Sequence, residues 1–148
     1  MMYAHCRSIA LALGAALLGL AAPPGMAAQA SKPTAAPKVT IVSPKDGAVL
    51  TGPSVHVVLA VEGVEIAPAA EHRPGTAHHH LFLDVKMSAA DSAIPAGVAG
   101  IVHLGKGQTE YTFDAVAAGP HRLIALLGDP NHIPLKPLVA DSVHFTVK

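Results

Sequence analysis

The chain has 148 residues, ten basic and ten acidic, so its formal net charge is zero at pH 7, and 51% of its residues are hydrophobic. No block of like charge occurs, which excludes nucleic acid and anionic membrane surfaces as expected partners. The length suits one domain around one core, and a single cysteine, Cys6, excludes an internal disulfide framework.

In chain order, the first thirty residues read as a signal peptide. Arg7 supplies a positive charge and is followed by fourteen small or apolar residues, Ile9 to Ala22, a run too short to span a bilayer. Pro23, Pro24 and Gly25 break any helix, and Ala28-Gln29-Ala30 has the small-x-small pattern of a cleavage site. Cys6 lacks the sequence context of lipid attachment. The expected product is a periplasmic or secreted chain of about 118 residues without a transmembrane anchor, in which Met87 is the sole sulfur atom. Residues 31–38, with two prolines and two alanines, read as a flexible linker, and 39–148 as the domain.

From Val39 onward, apolar alternation with β-branched residues recurs between Gly and Pro punctuation, and no stretch has a helical period. Seven strands are predicted: Val39–Ser43, Ser54–Glu62, His78–Lys86, Val98–Leu104, Gln108–Asp114, Pro120–Gly128 and Ser142–Val147. Pro44-Lys45-Asp46-Gly47, Gly105-Lys106-Gly107 and Gly119-Pro120 carry residues that fix or tolerate turn dihedrals. The fold class is all-β, an immunoglobulin-like antiparallel sandwich, though the Cys, Trp and Cys markers of a true immunoglobulin domain are absent.

If successive strands alternate in direction, the second–third, fourth–fifth and sixth–seventh connections share one end of the sandwich. His72, His78, His103, His132 and His144 then belong to that end, and His56 and His121 to the other. His78 and His80 are two apart in a strand, hence on one face about 6.6 to 6.8 Å apart along the backbone, a spacing from which two imidazoles can converge on one ion. His103, His132, Glu110 or Asp129 are the candidates to complete the set. Leu81, Leu83 and Val85 continue the face of His79, which is therefore assigned a structural role with one ring nitrogen bonded to backbone. Without cysteine and with one methionine, the ligand inventory suits Zn(II), Cu(II) or Ni(II). The alternative is that these histidines complete loop hydrogen bonds and hold no ion.

Gly105-Lys106-Gly107-Gln108-Thr109-Glu110 lacks the spacing of a phosphate loop and is not followed by a helical pattern, so it reads as a hairpin turn with Gly105 and Gly107 at positive φ. Lys106 and Gln108 are candidates to line a binding surface beside the histidines. No Gly-x-Ser-x-Gly elbow or comparable nucleophile context appears, so no catalytic residue is assigned.

The stretches EHRPGTAHHHLFLD (Glu71–Asp84), HLGKGQTE (His103–Glu110) and GPHRLIALLGDPNHIP (Gly119–Pro134) together resemble an exported bacterial family, domain of unknown function 4399, from VSPKDGAVL (Val42–Leu50) onward. The family has no established activity. The resemblance implies signature positions at His78, His79, His80, His103, Gly105, Lys106, Gly107, Gln108, Thr109, Glu110, Asp129, His132 and Pro134. Members often carry a further histidine shortly after the last of the four cluster positions, where this chain has Leu135 and Lys136. The sequence thus predicts a binding module with a histidine-centred site for a divalent metal. The alternative is an envelope domain that grips a protein or glycan without metal.

Overall fold

Alternation decides the strand Val55–Glu62, where Val55, Val57 and Leu59 point inward and His56 and Ala60 outward. The same rule runs through a computed structural model that describes residues 35–148. The expected signal peptide and residues 31–34 of the linker lie outside the described residues. Lys38, predicted as the last linker residue, is already the first residue of a strand, Lys38–Ser43, and pairs with Glu62.

The strands are β1 (Lys38–Ser43), β2 (Ala48–Leu50), β3 (Val55–Glu62), β4 (Glu65–Ile66), β5 (Thr76–Leu83), β6 (Ile101–Leu104), β7 (Glu110–Phe113), β8 (Gly119–Gly128) and β9 (Ala140–Val147), with one 3-10 turn at Ala69–Glu71. Nine strands are thus present among the described residues where seven were predicted. The two extra ones, β2 and β4, have three and two residues, too few for alternation to register. β4 and the 3-10 turn lie inside the predicted second–third connection.

β1, β3 and β7 form a three-stranded antiparallel sheet. The other sheet runs β2-β9-β8-β5-β4, with β6 also paired to β5. Its longer strands pair antiparallel, as expected, while the short β2 lies parallel to β9 and the short β4 parallel to β5.

The two sheets enclose one core, to which β1 contributes Val39 and Ile41, β3 contributes Val55, Val57 and Leu59, and the larger sheet Leu81, Leu123, Leu127 and Phe145. β5 and the second half of β8 are buried on both faces. The cause is a second, smaller apolar cluster on the outward face of the larger sheet, where Phe82, Ile124 and Leu126 pack beneath Ile94 of the β5–β6 connection. Odd-numbered Leu81, Leu123 and Leu127 therefore face the other sheet, and even-numbered Phe82, Ile124 and Leu126 face away from it.

Candidate metal centre

His78 and His80 share the parity of Phe82 and lie on the outward face of the larger sheet, yet they are 1% and 0% exposed. The residues over that face account for this burial. In the β5–β6 pair, His80 stands opposite His103, and directly opposed residues of an antiparallel pair project to the same side. From the β8–β9 connection comes His132, at the end of the turn Asp129-Pro130-Asn131. Asp129 Oδ1 accepts the backbone N–H groups of Asn131 (2.8 Å) and Ile133 (2.9 Å). His132 itself has φ 65, a left-handed conformation uncommon for a residue with a side chain. Its carbonyl accepts the N–H of Ile94 (2.9 Å), which ties the turn to the segment covering the sheet.

The four imidazoles converge. Nε2 of His78 is 2.9 Å from Nε2 of His80, and Nε2 of His103 is 3.2 Å from Nε2 of His132. All six pairs of ring centroids lie between 4.7 and 5.7 Å. His78, His80 and His103 offer ligand atoms within 4.8 Å of one another. Four ligands at about 2.0 to 2.1 Å from one ion stand about 3.3 Å apart in a tetrahedron, a spacing close to that of the two short Nε2 pairs. His78 and His80 form a closed floor, while exposed His103 and half-buried His132 form the mouth.

Two glycines make this crowding possible. A Cβ on Gly105 would lie 2.2 Å from Cε1 of His103, and one on Gly128, across from His78 in β8, would lie 3.1 Å from Nε2 of His80. Gly107 has the positive φ predicted for the turn (+78), but Gly105 does not. The requirement for glycine at 105 is space for the His103 ring, which corrects the dihedral reason inferred from sequence.

Protonation favours ligation. Burial first, then His103 and His132, lowers the pKa of His78 to about 4, with the Asp129 carboxylate opposing. Burial first, then His78 and His103, lowers His80 to about 3. His103 is lowered by partial burial and then by His132. These three rings are neutral at pH 7, the state in which imidazole binds a metal.

The other predicted residues are placed differently. His79, 0% exposed and on the inward face, donates from Nδ1 to the Gln108 carbonyl (3.0 Å), and its buried Nε2 has no partner among the described residues. Asp129 builds the His132 turn and acts on His78 through its charge. The Gln108 side chain folds back to accept the Lys106 N–H (2.7 Å) and so closes the hairpin turn. The Lys106 side chain is exposed. Glu110 belongs to the other sheet, opposite Val58, and its carboxylate stands 3.2 Å from His56 Nε2. The sequence placed those two at opposite ends; β7 starts midway along β3, so strand polarity alone misassigned Glu110. His144, assigned to the cluster end, instead stands opposite Arg122 within β9, because that strand starts four residues before it. His72 is exposed in the β4–β5 connection and lines a cavity of about 720 Å³ with Thr76, Asp129 and Leu135.

Sequence reasoning missed Gly128 and Ile94. The signals available were a glycine closing the apolar run Leu123–Leu127 and a lone isoleucine within a loop rich in alanine and serine.

The family described as Domain of unknown function (DUF4399) matches residues 57–148. The chain belongs to the DUF4399 family. The matched region of this DUF4399 protein runs from within β3 to the carboxyl terminus, begins after the Val42–Leu50 stretch named in the resemblance, and includes all four converging histidines. No curated protein matches the chain. Among solved structures, the DUF4399 chain is similar to a set of fibronectin(III)-like modules of Clostridium thermocellum CbhA, at 17% identity and TM-score 0.44, covering 74% of this chain and 95% of that one. It is also similar to the PKD domain of human KIAA0319, at 13% identity and TM-score 0.41, covering 84% and 92%. A third likeness, to an engineered protein, has 13% identity and TM-score 0.47 and covers 76% of this chain. This chain spans only 20% of that engineered protein's length.

Proposed function

We propose that this DUF4399 protein is a periplasmic or secreted binding module that holds one divalent transition metal ion, Zn(II) or Cu(II), between His78, His80, His103 and His132. The observation that carries the reading is the convergence of four imidazoles drawn from two strands and a loop, with His78 and His80 joined through Nε2 at 2.9 Å, His103 and His132 through Nε2 at 3.2 Å, and ligand atoms of His78, His80 and His103 within 4.8 Å of one another. Four imidazoles packed this closely have few other stabilising arrangements. Each short Nε2 pair admits only one proton between its two nitrogens. A metal ion accepts all four lone pairs at once. Export is supported by the Ile9–Ala22 run and the Ala28-Gln29-Ala30 pattern.

Element analysis of protein purified without an affinity tag, followed by titration with Zn(II) and Cu(II), tests the reading. The expected dissociation constant is tighter than about 10 μM for at least one ion, with a loss of more than about tenfold in His78→Ala and His80→Ala. Equal binding by parent and variants refutes it. An envelope-interaction domain without metal is the outcome then left standing.

A further inference from the structure

We propose a second site on the same outward face, toward the opposite ends of the strands, for an organic oxyanion: a phosphate or carboxylate head on a short apolar body. Two adjoining concavities, of about 500 and 450 Å³, open there, and Lys86 and Arg122 line both of them. Among the described residues neither of these bases forms an ion pair with a carboxylate.

The acids along the same walls are already committed. Asp84 accepts the backbone N–H of Arg122 (2.9 Å), and its other oxygen lies 2.7 Å from His121 Nδ1. His121 Nε2 donates to the Ala117 carbonyl (2.8 Å), so both of its ring nitrogens act as donors and the imidazolium that results offsets the Asp84 charge. Asp141 accepts N–H groups from Ile41 (2.8 Å) and Ser142 (2.9 Å). The face is left with a guanidinium and an ammonium whose donors are unspent. A guanidinium fork matches the paired oxygens of carboxylate or phosphate, and a nearby ammonium adds a second positive charge.

The floor between the two bases is apolar. Half-buried Val85 lines the larger concavity, and half-buried Met87 and buried Ile124 line the smaller. A bare inorganic anion would leave these side chains in water, whereas an alkyl or ring substituent beside the head would cover them. The site shares no residue with the histidine cluster, so it does not depend on metal binding.

The test is an NMR titration of the metal-free full chain with hexyl phosphate, alongside inorganic phosphate and hexanol. Saturable shifts are expected at the amides of Lys86, Met87, Arg122 and Ser142, with hexyl phosphate binding at least about tenfold more tightly than either comparator. The double variant Lys86→Gln, Arg122→Gln should lose at least about tenfold while keeping its unfolding temperature, since both side chains are exposed and the Arg122 backbone bond to Asp84 is retained. Absence of saturation below about 10 mM overturns the proposal, as does equal binding by hexanol, by inorganic phosphate or by the double variant. Sedimentation with phosphatidylglycerol vesicles separates the two sources of such a head: co-sedimentation that the double variant loses assigns it to a membrane lipid, and retention in the supernatant to a free ester.

Discussion

Gly105 lies against the edge of the His103 imidazole so closely that a methyl group there would overlap it, with 2.2 Å between the added carbon and Cε1. Because His103 is exposed, its ring can swing out to relieve that overlap, and the fold survives while the cluster loses a ligand. Gly105→Ala is therefore expected to weaken Zn(II) binding by at least about tenfold with an unfolding free energy within about 1 kcal/mol of the parent. Calorimetric titration and urea unfolding measure the two quantities, and unchanged Zn(II) affinity would show that the ring does not serve the ion.

The turn carrying His132 depends on one carboxylate. Asp129→Ala removes the acceptor of two backbone N–H groups and is expected to cost about 2 kcal/mol, as well as loosening the metal site. Asp129→Asn retains an acceptor oxygen and should cost less than half as much. The ordering Asn above Ala, read from urea midpoints, is the check; equal losses would mean that the charge beside His78, and not the turn, is what matters.

Acid should destabilise the metal-free protein through the two buried histidines. The unfolded chain takes up their protons near the ordinary value of 6.5, while folded His78 and His80 resist until about pH 4 and 3. Between those limits the unfolded state binds more protons, so stability falls as pH falls and is fully present only above about pH 6.5. Moving from pH 7.5 to 5 should cost roughly 2 kcal/mol for His78 alone. Denaturant unfolding at the two pH values measures this, and a variant with His78→Phe and His80→Phe should show a smaller difference. A difference that persists in full in that variant would assign the acid sensitivity elsewhere.

Leu126 and Leu127 are adjacent, both 0% exposed, and belong to different clusters. Alanine at either position should cost about 2 to 5 kcal/mol. Only Leu126→Ala, which opens space directly opposite His80 in the β5–β8 pair, should also weaken metal binding. If Leu127→Ala weakens it equally, the two faces of the sheet are not independent.

The seven longer strands were legible in the sequence because each carries enough alternating residues to reveal a period of two, and their bounds differ from those predicted by three residues at most. β2 and β4 were not legible, since two or three residues carry no period, and β2 also owes its pairing to a strand almost a hundred residues away, Ala48 standing opposite Phe145. The approach of His78, His80, His103 and His132 followed from assuming alternating strand directions, and that assumption held for the strands bearing them. It failed for Glu110 and His144, because direction fixes which way a strand runs and not how far along its neighbour it begins. The need for glycine at 105 and 128 was invisible for the same reason: it arises from the depth at which side chains of separate strands meet.

The three consecutive histidines of β5 divide their labour by parity, His79 turned toward the partner sheet and its two neighbours away from it. Inserting or deleting one residue between Thr76 and His78 would exchange these duties, driving two imidazoles into hydrocarbon and leaving one to face the loops. Variation in length should accordingly be tolerated in the connection before β5 and forbidden within the strand itself.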